Sequence, residues 1–111
     1  MANIEVGNET LLAPLEARSR DVARVLKLMS NQKRLLILCK LAAAGETPVS
    51  EISKAVNLSQ SAVSQHLAKM REENLIRYRR ESQTLFYSIA DSQVEELLAA
   101  LKDIYCPELS I

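Results

Sequence analysis

The chain has 111 residues, two of them cysteines, and its equal numbers of acidic and basic side chains give a formal net charge of zero. A chain of this length has room for one hydrophobic core and not for two domains. It contains no run near the roughly 18 to 20 apolar residues of a membrane span, and Glu5 and Glu9 are unlike the start of a secretion signal. We therefore expect a single domain, residues 1–111, in the cytoplasm, where a permanent disulfide is unfavourable.

The charges are unevenly distributed along this neutral chain. Residues 1–47 hold 7 basic and 5 acidic side chains, residues 48–90 hold 6 and 4, and residues 91–111 hold 1 and 5. The excess acidity is thus confined to the last segment. A neutral protein with a locally basic surface can still bind phosphates, so composition does not exclude a nucleic-acid partner.

Apolar residues recur at helical spacing in the first part of the chain. Residues 9–29 predict an amphipathic helix, with Pro14 in its first turn or limiting its regular part. Asn31 predicts the N-cap of a second helix, apolar nearly all round and hence buried, and Gly45 predicts its end. Cys39 lies in this second helix, so we expect its thiol to be sheltered and its pKa raised.

Two short helices are predicted next. Thr47 and Pro48 predict an N-cap and a first helical position, Asn57 predicts a tight connection, and Ser59 predicts the N-cap of the following helix. Two short helices joined in this way are typical of a helix-turn-helix, here over residues 48–73.

After these helices the apolar period changes to two. Residues 76–80 and 84–89, separated by the polar residues 81–83, predict a β-hairpin, and hence a wing over 76–89.

A last helical pattern follows the hairpin. Asp91 or Ser92 predicts its N-cap, and it ends at Cys106, beside Pro107 and near the end of the sequence, where we expect the more accessible thiol. The fold class is therefore predicted as mainly α with a β-hairpin, a winged helix-turn-helix in the order α-α-α-α-β-β-α.

The second short helix begins with an unusual density of serine and glutamine. A recognition helix needs such side chains at its N-terminal end, where they reach base edges and where the helix dipole favours phosphates. An isolated helix of this kind would be better interpreted as a solvated polar face, but the neighbouring helix and hairpin favour DNA. The predicted contacts are to bases from Gln60, Ser61, Ser64 and Gln65, and to phosphates from Ser59 and Lys69.

The hairpin offers a second set of DNA contacts. Arg77, Arg79 and Arg80 alternate out of its first strand and Gln83 lies at its tip, so the wing can follow phosphates or enter the minor groove. Charge on an exposed strand also prevents edge-to-edge pairing, which is the alternative interpretation. His66, a lone histidine within the recognition helix, is predicted to pack or to contact a phosphate rather than to bind metal.

Three segments, Met29–Leu38, Leu58–Leu67 and Thr84–Ile89, resemble the ArsR/SmtB winged-helix repressors in order, spacing and local sequence. The resemblance extends from about Leu11 to Pro107. It implies a homodimer that places two recognition helices in successive major grooves of double-stranded operator DNA with an imperfect palindrome.

In such a dimer the first and last helices pair with those of the second copy. By this resemblance residues 9–29 and 91–106 are the dimerisation helices, and residues 1–8 are expected to be flexible.

Many members of the family sense metal ions, but the ligands they use are missing from this sequence. The site in the recognition domain would need cysteines around Val49 to Ile52, and this segment has none. The site on the last helix would need carboxylate and histidine ligands near its start and end, but Asp91 and Gln93 are followed far downstream by Ile104 and Pro107. We expect no metal and no cofactor, with a metal-responsive repressor kept as an alternative.

Cys39 and Cys106 instead match positions in the BigR/SqrR/YgaV/HlyU branch of this family. The resemblance implies that reactive sulfur species join the two thiols through a polysulfide, or oxidants through a disulfide. The repressor then leaves its operator, and genes for sulfide detoxification or biofilm growth are transcribed.

The alternative is a constitutive or anti-silencing DNA-binding regulator with structural cysteines. An enzyme is not expected, because no phosphate-binding glycine loop and no nucleophile with its base can be identified.

Overall fold

The computed structural model describes residues 9–108, with side chains from Leu12 onward; the expected flexibility of residues 1–8 lies outside the described residues. The predicted class, a mainly helical winged helix-turn-helix, is confirmed. The elements are α1 (Glu9–Met29), α2 (Gln32–Ala44), β1 (Thr47–Pro48), α3 (Val49–Val56), α4 (Gln60–Glu72), β2 (Ile76–Glu81), β3 (Thr84–Ile89) and α5 (Ser92–Tyr105).

Side-chain caps define where three of the helices begin. Asn31 Oδ1 accepts two backbone N–H groups in the first turn of α2, at 3.0 and 3.1 Å. Ser59 Oγ accepts the N–H of Ala62 at 3.1 Å, and Asp91 Oδ1 accepts that of Gln93 at 2.8 Å. These are the predicted capping residues, and each such cap stabilises a helix by about 1 kcal/mol.

Residues with positive φ end two helices, at the predicted stop Gly45 and at the predicted connection Asn57. Gly45, with φ of 75°, follows α2 and donates its N–H to Leu41 O at 2.9 Å. Asn57, with φ of 56°, ends α3, and the chain turns at once into α4. The hydroxyl of Ser53 donates to Leu58 O across this turn, which fixes the connection between the two helices.

The interpretation of Thr47 and Pro48 as the start of α3 is wrong. They form the short strand β1, which pairs antiparallel with β3 in the registers Thr47↔Tyr87 and Pro48↔Phe86. The Thr47 hydroxyl donates to Gly45 O at 2.7 Å instead of capping the helix, and α3 begins at Val49 without a side-chain cap. The sheet order is therefore β1-β3-β2.

The wing is a tight hairpin. β2 and β3 pair from Ile76↔Ile89 to Glu81↔Thr84, so Glu81 belongs to the strand and not to the turn. Ser82, with φ of 59°, begins a two-residue connection.

Helix α2 is buried on one side only, contrary to the expectation that it is buried all round. Ile37, Leu38 and Leu41 lie in the core against α3, α5 and β3, whereas Leu36 and Cys39 are exposed. The apolar run around these residues correctly predicts burial for the side of α2 that packs against α3, α5 and β3. Among residues 9–108, no element covers the other side.

Helix α1 projects from the rest of the fold. The radius of gyration is 16.1 Å, larger than the roughly 13 Å of a compact domain of this length. Pro14 lies inside the helix, beyond its first turn, and does not limit it, so neither expected position is correct. Leu15, Val22 and Leu26 remain 48 to 50% exposed along one face. Among residues 9–108, no helix combines the length and apolarity that crossing a bilayer requires.

Candidate nucleic-acid interface and thiol pair

Helix α4 has one fully buried face and one polar exposed face. Val63, Leu67 and Met70 have no exposed surface, because they pack into the core beneath the helix. The side chains predicted to contact bases, together with Lys69, project on the opposite side. The exposed residues are Gln60, Ser61, Ser64, Gln65 and Lys69. The structure thus places this predicted set on one accessible surface, which we call the reading face.

Ser59 contributes to the start of this face in two ways. Its Oγ caps α4, and it lies 3.4 Å from Ser61 Oγ. Because a hydroxyl can donate while it accepts, the cap leaves the O–H of Ser59 able to reach a phosphate.

His66 is half-buried between α4 and the start of α2. Arg34 donates its Nε–H to His66 Nδ1 at 3.3 Å. Burial, and then the charge of Arg34, lower the pKa of His66, so the ring is neutral at pH 7. With Nδ1 accepting, the ring proton is assigned to Nε2. Arg34 is not among the predicted contact residues, although its place beside Lys33 at the start of a helix is a signal for such a role.

The three arginines of the wing are not equivalent. Arg79 forms ion pairs with Glu46 at 3.0 Å and with Glu81 at 2.9 Å, and it lies over the ring of Phe86. The hydrogen bond from Arg79 lowers the pKa of Glu46. Arg79 therefore ties the wing to the loop after α2, a role that the sequence analysis did not identify.

The other wing residues are available to a partner. Arg77, Arg80 and Gln83 are exposed, and in the described part of the chain neither arginine is in an ion pair. One further contact joins the wing to α4, since Arg71 lies 4.6 Å over the ring of Tyr78.

The two cysteines are both free thiols, with Cys39 exposed and Cys106 half-buried. The expectation of a sheltered Cys39 and a more accessible Cys106 is therefore wrong for this chain. The cause is the rotation of α2, whose buried side carries Ile37, Leu38 and Leu41 and leaves Cys39 facing outward.

The pKa of Cys39 is raised, as expected. Partial burial by neighbouring atoms is the main cause, and the charge of Cys106 is the second. The two cysteines lie on parts of the chain that meet, because α2, which holds Cys39, packs against α5, which Cys106 directly follows. Within residues 9–108, no three of the His, Cys, Asp and Glu side chains are grouped so as to hold a metal ion.

Known proteins similar to this chain share the same architecture. The family model described as "Bacterial regulatory protein, arsR family" matches residues 31–78. The HTH-type transcriptional regulator YgaV of Escherichia coli is 47% identical over 98 residues, which cover 88% of this chain and 99% of that protein.

Two solved structures agree over most of their length. Reduced HlyU from Vibrio cholerae is 41% identical, with a TM-score of 0.78, and the match covers 84% of this chain and 97% of that one. The transcriptional repressor BigR from Xylella fastidiosa is 32% identical, also with a TM-score of 0.78, covering 84% and 94%. This chain belongs to the arsR family of bacterial regulatory proteins and is a DNA-binding transcriptional regulator.

Proposed function

We propose that this regulator is a homodimeric repressor whose affinity for operator DNA is controlled by sulfur chemistry at Cys39 and Cys106. The observation that carries the proposal is that Cys39 lies on α2 and Cys106 directly follows α5, and these two helices pack against each other. Residues so far apart in sequence become neighbours only through folding. Two neighbouring thiols with one exposed are a suitable pair for reversible bond formation.

The thiol pair adjoins a surface that suits a second copy of the chain. Next to Cys106, Ile104 and Tyr105 are 68% and 76% exposed, and α1 exposes its own apolar face. Exposed apolar patches of this kind mark interaction sites. A bond between α2 and the end of α5 would therefore act on the helices that pair the two subunits.

Two balanced reactions can join the thiols. A peroxide oxidises both to a disulfide, with loss of their two hydrogens and release of water. A low-molecular-weight persulfide, R–S–SH, transfers its outer sulfur to a cysteine thiolate and leaves as R–SH after protonation. Two cysteine persulfides formed in this way condense to a trisulfide and release H₂S. A disulfide requires Cα atoms within about 7 Å, whereas each additional sulfur lengthens the reach.

The output follows from the geometry of a dimer on DNA. Recognition helices that enter successive major grooves must lie about 34 Å apart. A small change in how the subunits pair therefore misplaces one reading face relative to the other. The proposed DNA contacts are Ser59, Gln60, Ser61, Ser64, Gln65, His66, Lys69, Arg77, Arg80 and Gln83, while Arg79 holds the wing in place through Glu46 and Glu81.

The test is a DNA-binding titration of three forms of the protein. A duplex is selected from a random-sequence pool with the reduced wild type, and its affinity is then measured for reduced, peroxide-treated and persulfide-treated protein. We expect treatment to weaken binding about 5- to 150-fold, as typical allosteric couplings do. Intact mass identifies the bond, because a disulfide loses two hydrogens and a trisulfide also gains one sulfur.

Cys39→Ser and Cys106→Ser are the controls. Each is expected to bind the duplex like the reduced wild type and to keep that affinity after treatment. If treated wild type also keeps its affinity, the cysteines are structural and the regulator is constitutive. If treatment weakens the serine variants as much as the wild type, the switch lies elsewhere.

A further inference from the structure

A basic cleft lies between α1, the start of α2 and the end of α4. Its volume is about 500 Å³. Charged residues on its walls come from all three elements or from the segments next to them. They are Arg24, Lys27, Arg34, Lys69 and Glu73.

One of the four cations in this cleft is neutralised and the other three are not. Arg24 Nη1 donates to Glu73 Oε1 at 2.9 Å and to Glu73 O at 3.1 Å, and Arg24 Nη2 pairs with Asp21 at 2.9 Å. Among the described residues, Lys27, Arg34 and Lys69 have no carboxylate partner. The cleft therefore has an excess of positive charge that the protein itself does not balance.

Arg34 is oriented in the wall of this cleft by its neighbour. Its Nε–H is held by His66 Nδ1 at 3.3 Å, which fixes the plane of the guanidinium group. Its two terminal NH₂ groups have no hydrogen-bond partner in the described part of the chain and can donate to an anion. A planar group with two parallel donors is well matched to a phosphate.

The cleft continues the reading face. Gln65 and Lys69 lie four residues apart on α4, so their side chains occupy successive turns of the same side. Lys69 belongs both to this side and to the cleft wall. A duplex with its bases against Gln65 would bring its sugar-phosphate backbone past Lys69.

We propose that the cleft binds a phosphate of the DNA backbone beside the base pairs contacted by α4, with Lys27, Arg34 and Lys69 as its ligands. This proposal rests on the DNA-binding function. It adds Lys27 and Arg34, on α1 and α2, to the DNA-binding residues. Lys27 and Lys69 are exposed. Exposed cations can neutralise a long polyanion such as DNA, whereas a site for a small ion would enclose it.

The experiment pairs a change in the protein with a change in the DNA. Lys27→Gln removes one cation without touching His66, and Lys40→Gln makes the same change at the far end of α2. Duplexes carry one uncharged methylphosphonate at successive positions along the selected site. We expect Lys27→Gln to weaken binding about eightfold per protomer at 0.1 M salt and to reduce the salt slope by about one per protomer.

The decisive result is the combination of the two changes. At one flanking position per half-site, the methylphosphonate should weaken wild-type and Lys40→Gln protein but have little further effect on Lys27→Gln. If no position behaves in this way while the wild type still binds the duplex, the cleft is not a backbone site although DNA binding stands. If the wild type binds no duplex, both proposals fall. A titration with inorganic phosphate completes the test. If phosphate binds the protein tightly but does not weaken DNA binding, the cleft is a site for a small anion.

Discussion

Helices α4 and α1 of the same chain differ in what covers their apolar faces. Val63 and Leu67 of α4 have no exposed surface, whereas Val22 and Leu26 of α1 are about half exposed. The reading face is thus supported by a core that one chain completes. The face of α1 requires a further surface, which we propose is a second copy. The spacing of two reading faces can therefore be altered at α1 and α5 without disturbing α4 itself.

The largest expected effect comes from the core under α4. Leu67→Ala removes a fully buried side chain and leaves a cavity, so the free energy of unfolding should fall by about 2 to 5 kcal/mol. Urea denaturation at two protein concentrations measures this, and the loss should be the same at both. The exposed neighbour Gln65→Ala is the control, with an expected change within about 0.5 kcal/mol. Equal losses in the two variants would show that α4 does not depend on this core.

A smaller effect is expected from a substitution on α1, and it should change only the association of the two subunits. Burying the exposed half of Leu26 in both protomers is worth about 1.5 to 3 kcal/mol per dimer, or roughly 10- to 150-fold in the dissociation constant. Leu26→Asp should weaken dimerisation by at least this much, because it also buries a charge. Sedimentation equilibrium measures the change, and Ala17→Asp places the same side chain on the opposite side of α1. An unchanged dimer with Leu26→Asp would exclude this face as the interface.

The same contrast explains what the sequence could predict. The reading face follows from helical period and from the capping residue Ser59, both local signals, and the structure agrees with them. Thr47 and Pro48 were misinterpreted because their partners in β3 lie about 40 positions away, and a two-residue strand has no period of its own. The ion pair of Arg79 with Glu46 escaped prediction for the same reason, since its partners are 33 positions apart.

The exposure of Cys39 was mispredicted for a different reason. An apolar run such as Leu35–Leu38 predicts a buried helix but does not reveal which side its own chain covers. The structure resolves this, because the elements of one chain cover Ile37 and Leu38 and leave Leu36 and Cys39 outside. The proximity of Cys106 could be expected only from the family resemblance, because it depends on how α5 packs against α2.

The smallest expected effect is a shift in the pKa of Cys39, and its measurement tests the thiol pair where α5 meets α2. Replacing Cys106 by serine removes a negative charge that opposes ionisation of Cys39, so the pKa of Cys39 should fall. It should stay above its ordinary value, because partial burial, the larger cause, remains. The measurement is the pH dependence of Cys39 alkylation by iodoacetamide in reduced protein, with the labelled peptide identified by mass.

Tyr105→Ala is the matched control for this measurement, since it alters the adjacent exposed side chain and keeps the Cys106 thiol. Its alkylation midpoint should equal that of the wild type, while the midpoint of Cys106→Ser moves to lower pH. A midpoint that does not move in Cys106→Ser would mean that the two sulfurs are too far apart to interact. The sulfur switch would then lose its structural basis, although the reading face on α4 would be unaffected.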